Sequence, residues 1–435
     1  MSICLVSRDP QGSAFSHSPQ YALPCGLRLI GALCVLVALW LCAAPFAAVA
    51  QTPAMQPATV LDIHGKRHTE VLTELTAREA RLAGLPAIPT ADIVRIDWEQ
   101  RRPASVDREP LLLFGNGDQI ACQVASIDEE HLNARWTHFS AHPELKVPLE
   151  TIRGVVLHPP GNRSDRLRLI SRIVDQDDKH DVLYLVNGDR LTGQFMGLSE
   201  GSFQFDAGAG AVQIAADGVA ALAMNPELTS FPRAEGPRGI VTLTDGSRLT
   251  VNGPFAKSSG WIGGAPAFGG PPLEILVPHL SSLQFLGGRA VYLSDLEPTQ
   301  YRFTPYLGVS WPWHRDRNVL GGPLALRGAT FAKGLGLHSQ SELTYNLDGH
   351  YERFLANIGI DDAAQGRGSV VFRVLADGSQ VFASEIQRGN GPAFALPPLD
   401  VKGVKTLTLT VDFADWGDAD DRADWCDALV VKKRE

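Results

Sequence analysis

Residues 111–127 read LLLFGNGDQIACQVASI, and residues 182–198 repeat the same pattern as VLYLVNGDRLTGQFMGL. In both stretches an apolar strand ends at Asn-Gly-Asp, and a second strand of alternating polar and apolar residues follows. Asn-Gly is a strong hairpin signal because a type I′ turn needs positive φ at both central residues. The two stretches therefore predict two β-hairpins of the same design.

The pattern occurs twice more along the chain. Residues 240–251 read IVTLTDGSRLTV, and residues 59–72 read TVLDIHGKRHTEVL, a degenerate first copy. Each copy is followed by a closing segment: ADIVRIDW, VPLETIRGVVL, ADGVAALAM or VPHLSSLQFL. This spacing predicts repeated all-β units of roughly 45 residues, each a small half-open barrel of four or five strands. The units weakly resemble Sm-like and SH3-like barrels, and propeller blades or a β-solenoid fit the same spacing.

The texture of the sequence sets the predicted domain boundaries. We expect a signal peptide or membrane anchor at 1–50, a degenerate repeat at 58–105, repeats at 108–160, 182–232 and 238–288, a linker at 161–181, and a C-terminal domain at 290–432. The linker is rich in both charges and has room for one helical turn or an edge strand. The Asp of each Asn-Gly-Asp turn is interpreted as part of a hairpin tip rather than as a catalytic or metal-binding residue.

Composition excludes several functional classes. The formal net charge is −9, which argues against nucleic acid as a partner because phosphate binding needs clustered positive charge. An apolar content of 44% excludes a mainly disordered chain. Four of the six cysteines precede residue 43, so a disulfide scaffold is excluded as well.

The N-terminal segment predicts export. Residues 29–50 carry no charge, and Ala48-Val49-Ala50 has the form of a signal peptidase site. If it is not cleaved, a helix of this length could span a bilayer and anchor the protein in the membrane. We therefore expect an exported protein that is periplasmic, on the cell surface or secreted, with a membrane-anchored form as the alternative.

Residues beyond 290 predict an antiparallel sandwich. Leu407, Leu409, Val411 and Phe413 alternate with threonines and an aspartate, and Val370, Phe372 and Val374 precede a turn at Asp377-Gly378. Alternation of this kind is typical of strands with one buried face. We expect a β-sandwich of jelly-roll type.

Several sequence blocks in this region follow one another in a recognisable order. They are YLSDLEP at 292–298, FAKGLGLHSQSELTYNLDGHYERF at 331–354, IGIDD at 358–362, VVFRVLADGSQVFAS at 370–384, GVKTLTLTV at 403–411 and DRADWCDALV at 421–430. Together they resemble the NPCBM family, a carbohydrate-binding module named for its attachment to glycoside hydrolase family 98 enzymes. The resemblance implies a galactose-binding-like jelly roll, a glycan ligand that contains galactose, and often a structural calcium ion.

Candidate ligand-binding residues lie in the expected loops, because a sugar site needs an apolar face and planar polar groups. One loop contains Trp311, Trp313, His314, Arg315 and Asp316, and a second contains Trp416. The extended Trp-Pro-Trp segment should point its two rings to opposite sides. Trp425 is expected to pack in the core instead.

Three further residues join the candidates. His338 could donate to a ligand hydroxyl or be a buried histidine with its hydrogen bonds satisfied. Asp361 and Asp362 follow a strand, so they could cap a loop, ligate calcium or meet sugar hydroxyls.

Residues 415–427 contain six aspartates, a density that is unfavourable without a compensating cation or arginine. This motivates a structural calcium ion, with Asp418, Asp420, Asp421 and Asp424 as its candidate ligands. Arg422 neutralises part of the charge, and the order of the residues is not that of an EF-hand.

The leading functional hypothesis is an exported, non-catalytic carbohydrate-binding protein whose ligand is a polysaccharide or glycoconjugate. The alternative is a structural component of the cell envelope that binds other envelope proteins and no sugar. A glycan-acting hydrolase is disfavoured because residues 51–290 contain no nucleophile or zinc-protease motif.

Overall fold

The computed structural model describes residues 56–98, 109–136, 144–208, 210–232, 236–257, 260–306, 308–415 and 417–434. The predicted signal or anchor helix at 1–50 and Trp416 lie outside these residues. Across the described segments, no helix has the length and apolar character needed to cross a membrane. The predicted all-β architecture is confirmed, since strands dominate both the repeats and the C-terminal region.

Four units of five strands each form the first part of the fold. The first contains β1 (Pro57–Asp62), β2 (Arg67–Leu75), β3 (Glu79–Leu82), β4 (Ile88–Pro89) and β5 (Ile93–Asp97). The second contains β6 (Leu111–Phe114), β7 (Gln119–Ile127), β8 (His131–Trp136), β9 (Glu144–Pro148) and β10 (Ile152–Val156). The third contains β11 (Asp181–Leu185), β12 (Arg190–Ser199), β13 (Ser202–Asp206), β14 (Ala211–Ala215) and β15 (Val219–Ala223). The fourth contains β16 (Arg238–Leu243), β17 (Arg248–Lys257), β18 (Trp261–Pro266), β19 (Leu273–Leu276) and β20 (Leu280–Leu286).

The first hairpin of every unit turns at a glycine in the left-handed region. The φ angles are 77° at Gly65, 86° at Gly117, 94° at Gly188 and 87° at Gly246. A residue with a Cβ is strained in that conformation, so glycine fixes the turn. A 3₁₀ turn precedes each fifth strand, at Thr90–Asp92, Leu149–Thr151, Ala216–Gly218 and Val277–His279. The predicted hairpins are therefore confirmed. The expected type I′ geometry was wrong, because Asn116 and Asn187 do not share the positive φ of the glycines that follow them.

The units associate in pairs through their fifth strands. Strand β5 pairs with β20, which joins the first unit to the fourth, and β10 pairs with β15, which joins the second to the third. The second strands make further contacts, with Leu75 opposite Ala256 and Ile127 opposite Leu198. One apolar core with residues from all four units results.

The segment predicted as a linker, with one helical turn or an edge strand, contains instead a three-turn helix, α1 (Arg163–Val174). The Asn162 side chain caps its first turn by accepting from the Ser164 N–H. Leu169 and Ile173 pack against apolar residues of the second and third units. Packing of this apolar face, rather than the charged remainder, stabilises the helix.

The C-terminal region is a sandwich of two sheets. The first sheet contains β21 (Ala290–Tyr292), β23 (His314–Arg315), β26 (Gly334–His338), β28 (Tyr351–Ile360), β32 (Phe394–Ala395), β33 (Leu399–Asp400) and β35 (Arg422–Lys432). The second contains β22 (Gln300–Phe303), β27 (Ser341–Asn346), β29 (Ser369–Ala376), β30 (Ser379–Ala383), β31 (Gln387–Arg388) and β34 (Thr406–Phe413). A small hairpin contains β24 (Leu324–Leu326) and β25 (Ala329–Phe331), and further 3₁₀ turns lie at Pro226–Leu228, Leu293–Asp295 and Asp362–Ala364.

The sandwich core contains Trp425, which is fully buried between Phe354 and Phe372. Its expected core position is confirmed. The outer face of the first sheet packs against the first unit, where Tyr292, Leu355 and Leu429 share an apolar cluster with Ile63 and Val94. The repeats and the sandwich therefore share a buried interface.

Candidate functional site

One end of the sandwich collects the loops that contain most candidate residues. In the first sheet His338 pairs with Arg422, and Ile360 pairs with Ala423, so the loops after β26 and β28 and the loop before β35 meet there. In the second sheet Ser341 pairs with both Phe303 and Val411, which places the loops after β22 and β34 at the same end. We call residues 304–313, 338–341, 361–368 and 414–421 the loop end.

Trp311 and His338 form a parallel stack at the loop end. Their ring centroids are 4.7 Å apart and the rings are inclined by 6°. Trp311 is partly exposed and His338 is 3% exposed, so the buried histidine ring packs against one face of the indole. The Trp311 carbonyl also accepts a hydrogen bond from the Tyr301 hydroxyl at 2.6 Å, which holds the loop in place.

His338 is neutral near pH 7 because burial lowers its pKa below the usual value. Its Nδ1 lies 2.8 Å from the carbonyl oxygen of Ser339, so Nδ1 bears the proton and donates. Nε2 is then an acceptor, and it has no hydrogen-bond partner among the described residues. A neutral histidine with a free acceptor can bind a hydroxyl group.

The remaining residues of the 311–316 loop do not converge on that stack. Trp313 packs on the sandwich core with the Arg315 guanidinium 5.1 Å from its ring centre, so the two tryptophans have separate partners as expected. Arg315 also donates to Glu297 at 2.6 Å. Asp316 accepts from the Lys333 ammonium at 2.6 Å, which makes it a structural ion pair.

His314 lies on the side of the loop that faces α1. Burial is the main cause that lowers its pKa, and the positive charge of Arg317 lowers it further. Arg317 in turn pairs with Asp175, just after α1, at 2.6 Å. These contacts belong to the junction between the sandwich and the repeats.

Asp420 and Arg422 form an ion pair of 3.0 Å at the loop end, and Arg367 donates to Asp420 at 2.5 Å. Hydrogen bonding from Arg367 is the main reason that the pKa of Asp420 lies below its ordinary value. Asp418 and Asp420 both act electrostatically on His338, which places them beside the Trp311–His338 stack. Planar charged groups therefore lie next to an aromatic ring.

Asp421 is buried and joins the two sheets. It accepts from the Ser339 hydroxyl at 2.7 Å and from the Ser369 N–H at 2.8 Å. Burial raises its pKa to about 6 despite these bonds. Both oxygens are therefore engaged by the protein.

Asp424 and Asp361 are a buried carboxyl pair on adjacent strands. Asp361 caps the 3₁₀ turn by accepting from the Ala363 N–H at 2.8 Å, and it also accepts from Asn318 and Ala325. The two Asp424 oxygens have no hydrogen-bond donor among the described residues. Burial raises the pKa of Asp424 well above its ordinary value, and the charge of Asp361 raises it further, so Asp424 is protonated. Asp362 accepts from the N–H groups of Arg327 and Gly328 at 2.9 and 2.7 Å, which fixes the β24–β25 hairpin.

The four aspartates proposed as calcium ligands do not form one donor set. Asp420 is neutralised by arginines, Asp421 accepts from two serines, and Asp424 pairs with Asp361. Within the described ranges, no group of three or more acidic, histidine or cysteine side chains is arranged to hold a metal ion. A calcium ion held jointly by the four therefore does not fit, and calcium binding by the protein stays a prediction.

One exposed aromatic pair at the loop end was not among the predicted residues. Tyr306 is 55% exposed and Phe413 is 39% exposed, and their rings meet edge to face at 5.7 Å. Phe413 could have been found, since it ends an alternating strand whose other apolar residues face the core. Tyr306 offered no local signal.

The segment from 289 to 431 matches the NPCBM/NEW2 domain family. Residues 289–431 are an NPCBM/NEW2 domain. The match extends from just before β21 to the last residues of β35.

Two curated relatives match part of the chain. An endo-alpha-N-acetylgalactosaminidase of Renibacterium salmoninarum is 34% identical over 111 residues, which are 26% of this chain and 7% of the relative. Alpha-1,3-galactosidase B of Akkermansia muciniphila is 32% identical over 116 residues, 26% of this chain and 14% of the relative. The chain thus spans only a small share of either relative's length.

Among solved structures, the chain is similar to the CBM51 module of GH95 from Clostridium perfringens in complex with methyl-galactose. The identity is 25%, with 33% of this chain and 99% of that chain covered, and the TM-score is 0.30.

Proposed function

We propose that the protein is an exported, non-catalytic carbohydrate-binding protein whose NPCBM/NEW2 domain binds a glycan at the loop end. The observation that supports this most strongly is the partly exposed Trp311 ring, supported by a neutral histidine and flanked by charged planar groups. A pyranose presents a C–H face that packs on an aromatic ring and hydroxyls that bind planar polar groups.

The loop end supplies both kinds of contact. Trp311 would cover the C–H face, Nε2 of His338 would accept from a hydroxyl, and the Asp420–Arg422 pair would supply an acceptor and a donor. Asp418, near His338, would extend the polar rim. Tyr306 and Phe413 widen the aromatic surface for a second sugar unit.

We further propose that the glycan contains galactose or N-acetylgalactosamine. The two curated relatives are named for activity on such sugars, and they are 34% and 32% identical to this chain over the matched residues. Because each match covers a small part of the relative, the activity of the relatives is not transferred to this protein.

A glycan array probed with the purified protein and a Trp311→Ala variant tests the proposal. We expect binding to galactose-containing glycans, weakened at least about tenfold by the variant, which corresponds to about 1.4 kcal/mol. Trp261→Ala, which truncates a partly exposed tryptophan of the fourth unit, is the matched control and should bind normally. A folded protein that binds no glycan at high micromolar concentration, or a Trp311 variant that binds like the control, refutes the site.

Calcium is tested separately by calorimetric titration of the protein. The expectation from sequence is heat of binding and a higher melting temperature. Titration without heat and without a change in melting temperature would remove calcium from the proposal.

Absence of catalysis is part of the proposal. Glycoside hydrolysis needs two carboxyl groups about 5 to 10 Å apart in a cleft that holds substrate. The Asp361–Asp424 pair is buried at 2% and 0% exposure, so it does not line such a cleft. Release of reducing ends from a polysaccharide panel by the protein would overturn this part.

The alternative is a structural component of the cell envelope. It is favoured by the buried interface between the repeats and the sandwich, which makes the domain part of one packed body with the repeats. Normal folding together with failure on the array would favour that alternative.

A further inference from the structure

The second and fourth units meet through their first hairpins, and the contacts occur in matched pairs. Asp118 accepts from the N–H and the hydroxyl of Thr250, both at 2.8 Å. In the opposite direction, Ser247 accepts from the Ala121 N–H at 3.0 Å. Ser247 occupies in its hairpin the place that Asp118 has in the other, and Thr250 corresponds to Ala121.

A second pair of contacts follows the same rule. Gln119 donates to the Gly246 carbonyl at 3.1 Å, and Arg248 donates to the Gly117 carbonyl at 2.6 Å. Gln119 and Arg248 are equivalent residues and lie opposite each other where β7 meets β17. The two hairpins are therefore related by an approximate two-fold axis through this contact.

The hairpin of the third unit combines the contact residues of the second hairpin with those of the fourth. Asp189 corresponds to Asp118, whereas Arg190 and Thr192 correspond to Arg248 and Thr250. The register agrees, since Thr192 lies opposite Val182 as Thr250 lies opposite Ile240. By this register the Thr192 N–H points away from β11, as the Thr250 N–H points away from β16.

The turn is also preorganised in the same way. Asn187 donates to Asp189 at 2.7 Å and accepts from the Asp189 N–H at 3.0 Å. The corresponding distances at Asn116 and Asp118 are 2.8 and 3.0 Å. The third hairpin therefore has the shape as well as the chemistry of the docked one.

In the folded chain this surface is exposed. Val186 is 59% exposed, and the residues from 186 to 190 are all exposed, whereas Asp118 is 4% exposed. The only contact of Arg190 with an acidic side chain in the described ranges is Asp178 at 3.6 Å. A groove of about 500 Å³ lies between the turn and α1, so the described chain leaves space beside the hairpin.

The first unit's hairpin touches the sandwich, although residues 64–67 are exposed. His64 lies 2.8 Å from the Arg353 guanidinium, and Pro398 packs beside Gly65. The second and fourth hairpins are thus docked on each other within the described chain, whereas the third unit's hairpin has no such contact.

We propose that two copies of this chain dock through the hairpins of their third units about a two-fold axis. Asp189 of each copy accepts from the N–H and the hydroxyl of Thr192 in the other, and Arg190 of each copy donates to the Gly188 carbonyl of the other. A surface that contains both donors and acceptors of a two-fold contact is self-complementary, as an isologous dimer requires. The contact is small, so the dimer forms at micromolar or higher concentration. This inference does not depend on sugar binding.

Sedimentation velocity of the protein from about 1 to 300 µM measures the association. We expect a monomer at the low end and a growing dimer fraction above it. A single monomeric species over the whole range overturns the proposal.

Charge exchange identifies the surface. In a dimer of the Asp189→Lys variant, the lysine of each copy lies opposite Arg190 of the other, so two like-charge contacts form. In a dimer of the Arg190→Glu variant, the glutamate of each copy lies opposite Asp189 of the other, with the same result. Each variant alone should therefore weaken the dimer at least about tenfold. A mixture of the two should dimerise again, because each copy then offers opposite charge to the other.

Glu200→Lys is the matched control, since Glu200 is exposed at the other end of the same unit. It should dimerise like the unmodified protein. Circular dichroism of all variants checks that the fold is intact. Dimerisation that survives both single variants, or a mixture that stays monomeric, overturns the proposed surface.

Discussion

Replacing Asp118 by alanine should destabilise the protein strongly, although Asp118 belongs to a hairpin tip. Its carboxylate is 4% exposed and accepts from the N–H and the hydroxyl of Thr250 in the fourth unit. Alanine leaves both donors buried without an acceptor, and each such group costs about 1–3 kcal/mol. We therefore expect a loss of about 4 kcal/mol in the free energy of unfolding.

The chain contains its own control for this prediction. Asp189→Ala removes the same carboxylate from the same Asn-Gly-Asp turn, including the hydrogen bond from the asparagine. Because Asp189 is exposed, we expect a loss of no more than about 0.5 kcal/mol. The difference between the two variants isolates the contact between units from the contribution of the turn.

Urea unfolding followed by tryptophan fluorescence measures both losses. Trp136 is a local probe, since its Nε1 donates to Asp245 across the same contact at 3.2 Å. The protein should be kept near 1 µM so that association between copies does not contribute. A Thr250→Val variant completes a double-mutant cycle, and we expect a coupling energy of about 1 kcal/mol with Asp118.

Two results would refute the reasoning. One is an Asp118→Ala variant that loses less than about 1 kcal/mol, which would mean that water replaces the carboxylate. The other is an equal loss in the Asp189 variant, which would mean that the turn alone determines the effect.

Two further predictions concern the sandwich. Burial raises the pKa of Asp427 from 3.8 to about 6, so the folded state holds a proton that the unfolded state releases, and stability falls as pH rises from about 4 to about 6. This amounts to about 3 kcal/mol, and urea unfolding of Asp427→Asn across that range should show a correspondingly smaller fall; an unchanged pH profile contradicts the assignment. Leu429 is 1% exposed where the sandwich meets the first unit, so a Leu429→Ala variant should lose about 2–5 kcal/mol in the free energy of unfolding. Calorimetry should show a lower melting temperature, and an unchanged melting temperature would show that the interface is not packed as described.

Local sequence was sufficient for the hairpins and insufficient for their surroundings. Asn-Gly at positions 116–117 and 187–188 predicts the turn, because the turn depends on the φ angles of its own residues. Whether the following aspartate is buried depends on a strand more than 100 residues away, as the contact between Asp118 and Thr250 shows. No periodicity within the hairpin encodes that partner.

Helix α1 was missed although it has local signals. Asn162 is a good N-cap. The apolar residues of the helix form two pairs spaced by four, Leu169 with Ile173 and Ile170 with Val174, and they lie on one side of the helix. The buried side of the helix is narrow and the rest of its surface is highly charged, so the segment has the composition of a linker.

The six aspartates of 415–427 do not share one environment, because the strand β35 begins at Arg422. Alternation then places Ala423 and Trp425 in the sandwich core and Asp424 on the opposite face. That face is covered by the β24–β25 hairpin, where Leu324 and Leu326 contact Cys426. Sequence alone does not show that both faces of a strand are buried when one of them contains acidic residues.

Charge distinguishes the third hairpin from the second. The docked pair brings Asp118 of the second unit near Arg248 of the fourth, so opposite charges meet in this contact. Two copies of the second hairpin would bring together two aspartates without a cation, which is a repulsive arrangement. The third hairpin contains Asp189 and Arg190 together, so it is the hairpin for which pairing with itself is neutral. The carboxylate that disfavours self-pairing of the second hairpin is therefore balanced by an arginine in the third.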